Sequence, residues 1–139
     1  MSRRAKGGTG DGPDSRPDLA AYEDVVRMPR AQLIAQLREL LGVRLVAYLA
    51  KVRDTRVVRQ WVDDADSGTG DVDIERLRIA YRAARMISEL DSSAVAQVWF
   101  QGRNPALDDR PPALLIREGE FPDAGAAVLA AACEFVAHR

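Results

Sequence analysis

The chain has 139 residues, of which 47% are hydrophobic, and its formal net charge is −1. This composition is typical of a globular protein, and no apolar run approaches the roughly 18 residues that span a bilayer. A net charge near zero argues against nucleic-acid binding by bulk charge alone. The single cysteine excludes an internal disulfide. The charged N-terminus has no apolar segment behind it, so we expect the cytoplasm rather than secretion.

The N-terminal part begins with a polar stretch. Residues 1–18 are rich in Gly, Arg, Asp and Pro and predict a disordered tail. A short helix is predicted over 19–27. Pro29 suits the first turn of a second helix, which runs to Leu41 and is ended by Gly42. The apolar stripe of this second helix consists of Leu33, Leu37, Leu40 and Leu41.

Residues 44–61 predict two short amphipathic helices joined by a tight turn. Asp54 is a good N-cap for the second of them. Val58, Trp61 and Val62 share its inward face. The other face carries Arg, Gln and Thr, which is what a helix-turn-helix presents to the major groove of DNA. Together with one arginine of the turn, the candidate DNA-binding residues are Arg53, Thr55, Arg56, Arg59 and Gln60.

Charge is unevenly distributed around this segment. The basic stretch 44–61 is followed directly by the acidic stretch 63–75. Two solvated faces that balance each other would explain this equally well. The acidic residues lack the alternating oxygen spacing of a calcium loop, so no metal site is predicted.

Four further helices are predicted after a flexible turn at 67–70. The first two cover 74–90 and 94–100, and the second of these is opened by Asp91-Ser92-Ser93 and stopped by Gly102. The other two are a short segment opened by Arg110-Pro111-Pro112 and ended before Gly119, and an Ala-rich segment 123–138. The buried face of the first consists of Leu77, Ala80, Tyr81, Ala84 and Ile87. In the last helix, Cys133 is expected to pack as a small hydrophobe. No period-two pattern occurs, so the predicted fold class is all-α.

Catalytic chemistry has few candidates in this sequence. The only histidine is His138, which is better placed to cap the C-terminus of the last helix than to act as a general base. There is neither a phosphate-cradling glycine loop nor a Ser-His-Asp or Cys-His arrangement. We therefore expect a protein that is not an enzyme and needs no cofactor.

The C-terminal third carries a second pattern. It consists of Val98-Trp99-Phe100, Asn104-Pro105-Ala106-Leu107, Arg110-Pro111-Pro112 and Glu118-Gly119. This order resembles the toxin-binding domain of Xre/MbcA/ParS-like antitoxins, which follows a helix-turn-helix ending in a tryptophan, here Trp61. The resemblance covers roughly residues 30–139.

The resemblance implies two units: a helix-turn-helix domain over 19–90 and a small helical toxin-binding domain over 91–139. It implies a homodimer or higher assembly that binds a cognate toxin of the RES-domain type. Such a toxin consumes NAD or transfers from it, and the antitoxin blocks its NAD pocket. It also implies that the protein represses its own operon. The implied toxin-facing residues are Asn104, Pro105, Leu107, Arg110, Pro111 and the last helix, with its end at His138 and Arg139.

Three departures from the family pattern concern DNA. Tyr48 occupies a slot where the first helix usually has a small residue, although Ala47 stands one place earlier. The turn, Lys51-Val52-Arg53, lacks the usual glycine. Asp63-Asp64 replaces a glycine and would repel phosphates. Two alternatives therefore remain open: a stand-alone transcriptional regulator, and an adaptor that has lost DNA binding. Leu107 fits the core as well as it fits a toxin contact.

Overall fold

The computed structural model describes residues 28–63 and 74–138, and within them all regular structure is helical. The predicted fold class is thereby confirmed. The helices are α1 (Arg30–Leu41), α2 (Val43–Leu49), α3 (Thr55–Asp63), α4 (Ile74–Leu90), α5 (Ser93–Gln101), α6 (Pro112–Glu118) and α7 (Asp123–Ala137), with a short 3-10 turn at Pro105–Leu107. The predicted tail, the predicted helix over 19–27 and the predicted turn at 67–70 lie outside the described residues.

The boundary between α1 and α2 is set by Gly42. Its N–H donates to the carbonyl of Arg38 at 2.8 Å, and its φ of 90° lies in a region that side chains with a Cβ rarely adopt. Gly42 also precedes the first residue of α2. One glycine therefore ends one helix and turns the chain into the next, as the sequence predicted for the end of α1.

The centre of the fold is α4, which packs against α1, α5, α6 and α7. Its predicted face is buried throughout, from Leu77 to Ile87. Leu40, on the predicted stripe of α1, is only partly buried, whereas Ile34 beside that stripe is fully buried. Ile34 is buried because α1 contacts four helices, which cover more than one of its faces.

The apolar core is continuous along the chain. A single cluster of buried side chains contains Leu37 and Ile87 as well as Phe100 and Val128. It therefore includes residues on both sides of residue 90. The division into two domains at that position stays a prediction.

Arg76, a partly buried residue of α4, holds the C-terminal part against this helix. Nη1 of Arg76 donates to the carbonyls of Ile116 at 2.6 Å and Gly119 at 2.8 Å, and its guanidinium lies 4.6 Å from the centre of the Phe121 ring. A positive charge at the C-terminal end of α6 also interacts favourably with the helix dipole. This contact fixes the link between α6 and α7, and with it the position of α7.

The ends of the last helices agree with the sequence, whereas the burial of Cys133 does not. Ser92 caps α5 by accepting a hydrogen bond from the Val95 N–H at 3.1 Å, and His138 is the C-cap of α7, as predicted. The expectation that Cys133 packs as a small hydrophobe is wrong, because this residue is exposed. It follows the buried Ala132 and lies at the edge of the core, where its Sγ is 3.9 Å from the Sδ of the buried Met86. None of the described helices combines the length and apolarity needed to cross a membrane.

Candidate functional site

The first candidate surface is the outer face of α3. Val58 and Trp61 anchor the helix and are 0% and 3% exposed, which confirms the predicted inward face for these two residues. The side chain of Val62 lies outside the described part. Of the five predicted DNA-binding residues, Thr55 is half-buried and the other four are exposed. The predicted exposure is therefore confirmed for four of the five residues, while DNA binding stays a prediction.

The start of α3 is capped by Asp54, as predicted. Oδ1 of Asp54 accepts the backbone N–H of Arg56 at 2.9 Å. The side chain of Arg56 folds back onto the same carboxylate, with Nε 3.0 Å and Nη2 2.8 Å from Oδ2. These hydrogen bonds from the Arg56 side chain and backbone lower the pKa of Asp54. The contact with Arg56 therefore favours the charged form of this carboxylate.

In the turn before α3, a lysine adopts the left-handed conformation that a glycine usually adopts. Lys51 has a φ of 62°. Its N–H donates to the carbonyl of Tyr48 at 3.2 Å, and the N–H of Val52 donates to the carbonyl of Ala47 at 3.0 Å. The turn keeps the left-handed conformation although its sequence lacks glycine.

Tyr48 does not fill the space between α2 and α3. Its side chain is 37% exposed, whereas the preceding Ala47 is buried. The small residue that close helix packing requires is thus Ala47. The guanidinium of Arg117, on α6, lies 4.6 Å from the centre of the Tyr48 ring, and its Nη1 donates to the Tyr48 carbonyl at 2.6 Å. Tyr48 therefore joins α2 to the C-terminal part.

The second candidate surface is a groove of about 520 Å³ between the 3-10 turn and α7. We call it the C-terminal groove. Its lining residues are Trp99, Arg103, Asn104, Pro105, Ala131, Glu134, Phe135 and His138. It brings together three of the predicted toxin-facing residues, Asn104, Pro105 and His138.

One wall of the C-terminal groove is built by Asn104. Its Oδ1 accepts the N–H of Ala106, and its carbonyl accepts the N–H groups of Leu107 and Asp109, all at 2.9 Å. The turn is closed by Asp108 and Asp109, which have φ values of 58° and 62°. This network fixes the turn, which leaves Pro105 exposed beside α7.

The floor of the C-terminal groove is aromatic. The Trp99 ring stands edge-on to Phe100 with 5.1 Å between ring centres, and it lies 6.4 Å from Phe135. Phe100 is fully buried, whereas the other two rings are partly exposed. An anchored tryptophan at the base of a groove presents a large rigid apolar surface to a partner.

The other predicted toxin-facing residues lie elsewhere. Leu107 is 3% exposed, so the prediction that its side chain faces a toxin is wrong for this conformation: the 3-10 turn carries it into the core. Arg110 is exposed and donates through Nε to the Leu107 carbonyl at 3.1 Å. Pro111 lines a second groove, of about 690 Å³, between α2, α5 and α6. Arg139 lies outside the described residues.

The resemblance implied that the last helix faces a toxin, but it did not say which face of that helix. Ala131, Glu134, Phe135 and His138 fall at i, i+3, i+4 and i+7 on α7. That spacing places them on one stripe, and it could have identified this face in advance. Arg103, which follows α5 directly, was missed.

Metal chemistry has no candidate in the described part of the chain, where no three potential ligand residues lie together. The acidic residues 64–73 are outside that part.

No protein-family model matches this sequence, and no curated protein matches it significantly. Among solved structures, it is similar to a chain of the Mycobacterium tuberculosis (M. tuberculosis) MbcT-MbcA toxin-antitoxin complex. The two are 25% identical, the match covers 73% of this chain and 92% of that chain, and the TM-score is 0.57.

The chain resembles an MbcA-like antitoxin. The motif order in the sequence predicted this resemblance, and the structural match confirms it. The match includes most of the other chain, so the similarity concerns nearly a whole protein of that complex rather than one motif.

Proposed function

We propose that this chain is an antitoxin that binds a toxin protein through the C-terminal groove and blocks the toxin's active site. The observation that carries the proposal is the similarity to a chain of a toxin-antitoxin complex. From the motif resemblance we propose a toxin of the RES-domain type that consumes NAD or transfers from it. The proposal assigns no reaction and no cofactor to this chain itself.

The composition of the C-terminal groove supports its assignment as the toxin-binding surface. Protein interfaces are built around aromatic anchors surrounded by a polar rim. Here Trp99 and Phe135 supply the apolar floor, while the exposed Arg103 and Glu134 supply rim charges of both signs. A protein surface with complementary charges would be oriented by that rim.

The test is co-expression with the product of the adjacent gene, followed by affinity capture and an assay of NAD loss. We expect a stable complex in which NAD loss is suppressed. Glu134→Arg should weaken the complex about tenfold or more, because it reverses a rim charge. Glu120→Arg is the matched control, since Glu120 is also exposed but lies outside the groove. Equal binding by both variants would exclude the groove as the interface.

We further propose that α3 binds operator DNA, which would let the protein repress its own operon. The exposed Arg53, Arg56 and Arg59 support this, because arginines on the free face of a short helix suit base edges and phosphates. A homodimer would place two copies of α3 on two half-sites. If no toxin complex forms, operator binding alone would make the protein a stand-alone regulator.

The DNA proposal is tested by selecting duplexes from a random library at a fixed salt concentration. Arg59→Ala should weaken binding to the selected duplex by about 1–3 kcal/mol if Arg59 contacts a base through two hydrogen bonds. Arg103→Ala removes the same charge from the C-terminal groove and should leave DNA binding unchanged. In the toxin assay, Arg103→Ala should weaken binding and Arg59→Ala should leave it unchanged. Absence of any sequence preference in the wild type would favour an adaptor without DNA binding.

A further inference from the structure

Asp54 is the only acidic residue between positions 43 and 62, where the chain also carries Arg44, Lys51, Arg53, Arg56 and Arg59. A carboxylate in such a segment weakens its attraction to the phosphates of a nucleic acid. Capping the helix does not require this charge, because Asn and Ser cap as well as Asp. The charge of Asp54 therefore suggests a second role besides capping.

The geometry of Arg56 indicates what that role is. Its Nε and Nη2 both face the carboxylate of Asp54, so that one edge of the guanidinium is occupied. The backbone N–H of Arg56 is held by the same carboxylate. The backbone and the guanidinium of Arg56 are thus both bound to Asp54. The side chain of Arg56 is nevertheless 82% exposed.

The opposite edge of that guanidinium has no hydrogen-bond partner among residues 28–63 and 74–138. This edge carries N–H groups of Nη1 and Nη2 that point in parallel. Two parallel donors match the O6 and N7 acceptors of guanine in the major groove. Arg56 also lies in the first turn of α3, and the first residues of a recognition helix are those that reach base edges.

We propose that Asp54 is a positioning residue for DNA readout: it holds Arg56 so that the free edge of the guanidinium recognises a guanine. The inference rests on the proposed binding of α3 to DNA and adds a preferred base and a residue pair to it. Asp54 would not touch the DNA. It would act by fixing, before binding, a side chain that otherwise loses rotamer freedom in the complex.

The test compares two duplexes at constant salt: the one selected by the wild type, and the same duplex with the guanine that Arg56 contacts replaced. The position of this guanine is found with the Arg56→Gln variant: it is the base pair at which that variant no longer distinguishes guanine from other bases. Asp54→Asn keeps a capping side chain and removes the charge that holds Arg56. We expect it to reduce the affinity ratio of the two duplexes about tenfold. In an Arg56→Gln background, Asp54→Asn should have no further effect on the ratio.

Asp109→Asn is the matched control. It makes the same change in net charge, on an exposed residue of the 3-10 turn region, and Asn tolerates the left-handed conformation found there. It should leave the ratio unchanged. If Asp54→Asn instead raises affinity for both duplexes equally, Asp54 only competes with phosphates and the inference is overturned.

Two further outcomes separate this inference from the proposed function. If the wild type selects a sequence and Arg56→Gln selects the same one, DNA binding stands and the role of the Asp54–Arg56 pair is refuted. If the wild type selects no sequence at all, DNA readout by α3 fails as a whole, and the inference fails with it. Toxin binding is measured separately and is unaffected by either result.

Discussion

The region of α2 and α3 and the region of α6 and α7 are held in place by different chemistry. The first is anchored by apolar side chains, above all Val58 and Trp61, and its arginines on α3 point to solvent. The second is held by arginines that donate to backbone carbonyls of other elements. Arg76 of α4 binds the end of α6, and Arg117 of α6 binds the end of α2. The same residue type is thus architectural in one region and available to a partner in the other.

The apolar anchoring of α3 is tested by Trp61→Ala. Trp61 is 3% exposed, so the substitution removes a large buried side chain and leaves a cavity. We expect a loss of about 3–5 kcal/mol in the free energy of unfolding, measured by urea denaturation. Tyr48→Ala, which truncates a half-exposed aromatic residue on the neighbouring helix, should be clearly less harmful. Wild-type stability of the Trp61 variant would show that α3 is oriented differently.

The polar anchoring of the C-terminal part is tested by Arg76→Met. Methionine retains much of the packing over Phe121 but leaves the carbonyls of Ile116 and Gly119 without their donor. Hydrogen bonds to charged groups contribute about 1.5–3 kcal/mol, so we expect a loss of about 2–4 kcal/mol in the same assay. This would make one inward arginine nearly as important to stability as a buried tryptophan.

Arg78→Met is the control for that experiment. Arg78 lies on the same helix and makes an exposed ion pair with Glu75 at 3.0 Å. Pairs of this kind contribute about 0.3–0.5 kcal/mol. Equal losses for Arg78→Met and Arg76→Met would mean that the carbonyl contacts of Arg76 are not what holds α6.

Close packing between α6 and α7 is tested by Gly119→Ala. A Cβ at Gly119 would lie 2.5 Å from both the Cβ of Ala124 on α7 and the carbonyl oxygen of Leu115 on α6, so the end of α6 and the start of α7 would both have to shift. We expect a loss of about 1–3 kcal/mol, in the range of other overpacked sites. At Gly102 the nearest atom to a new Cβ is the Val98 carbonyl oxygen at 3.3 Å, so Gly102→Ala should cost much less. Thermal denaturation of the pair measures the difference.

Much of the fold could be predicted from local sequence signals. Gly42, Ser92 and Gly102 mark helix boundaries because capping depends on neighbouring residues only, and the face from Leu77 to Ile87 follows from helical spacing. Arg76 could not be predicted in the same way. Its partners lie about forty positions further along the chain, and nothing local distinguishes it from Arg78.

The candidate site, too, could be predicted where local signals define it and not where distant residues meet. The outward residues of α3 were predictable, because a short helix with two inward anchors has only one other face. The C-terminal groove was predicted in part, through Asn104, Pro105 and His138. Leu107 was assigned to the toxin although it is buried, since a turn motif does not reveal which of its side chains enters the core. Phe135 was predicted only as part of the apolar side of α7, because its place in the groove depends on how α7 packs beside Trp99.

The smallest expected effect concerns the turn between α2 and α3, where the sequence lacks the expected glycine. Lys51 has a φ of 62°, a conformation that costs a residue with a Cβ about 1–2 kcal/mol relative to glycine. Glycine also makes the unfolded chain more flexible, which offsets about 0.4–1 kcal/mol of that gain. Lys51→Gly should therefore stabilise the chain by about 0–1.6 kcal/mol relative to Lys51→Ala, which removes the same charge without relieving the backbone. If the two variants unfold at the same urea concentration, the backbone strain at Lys51 is no larger than this offset of about 0.4–1 kcal/mol. The shape of the region of α2 and α3 would then depend more on the burial of Val58 and Trp61 than on a relaxed turn.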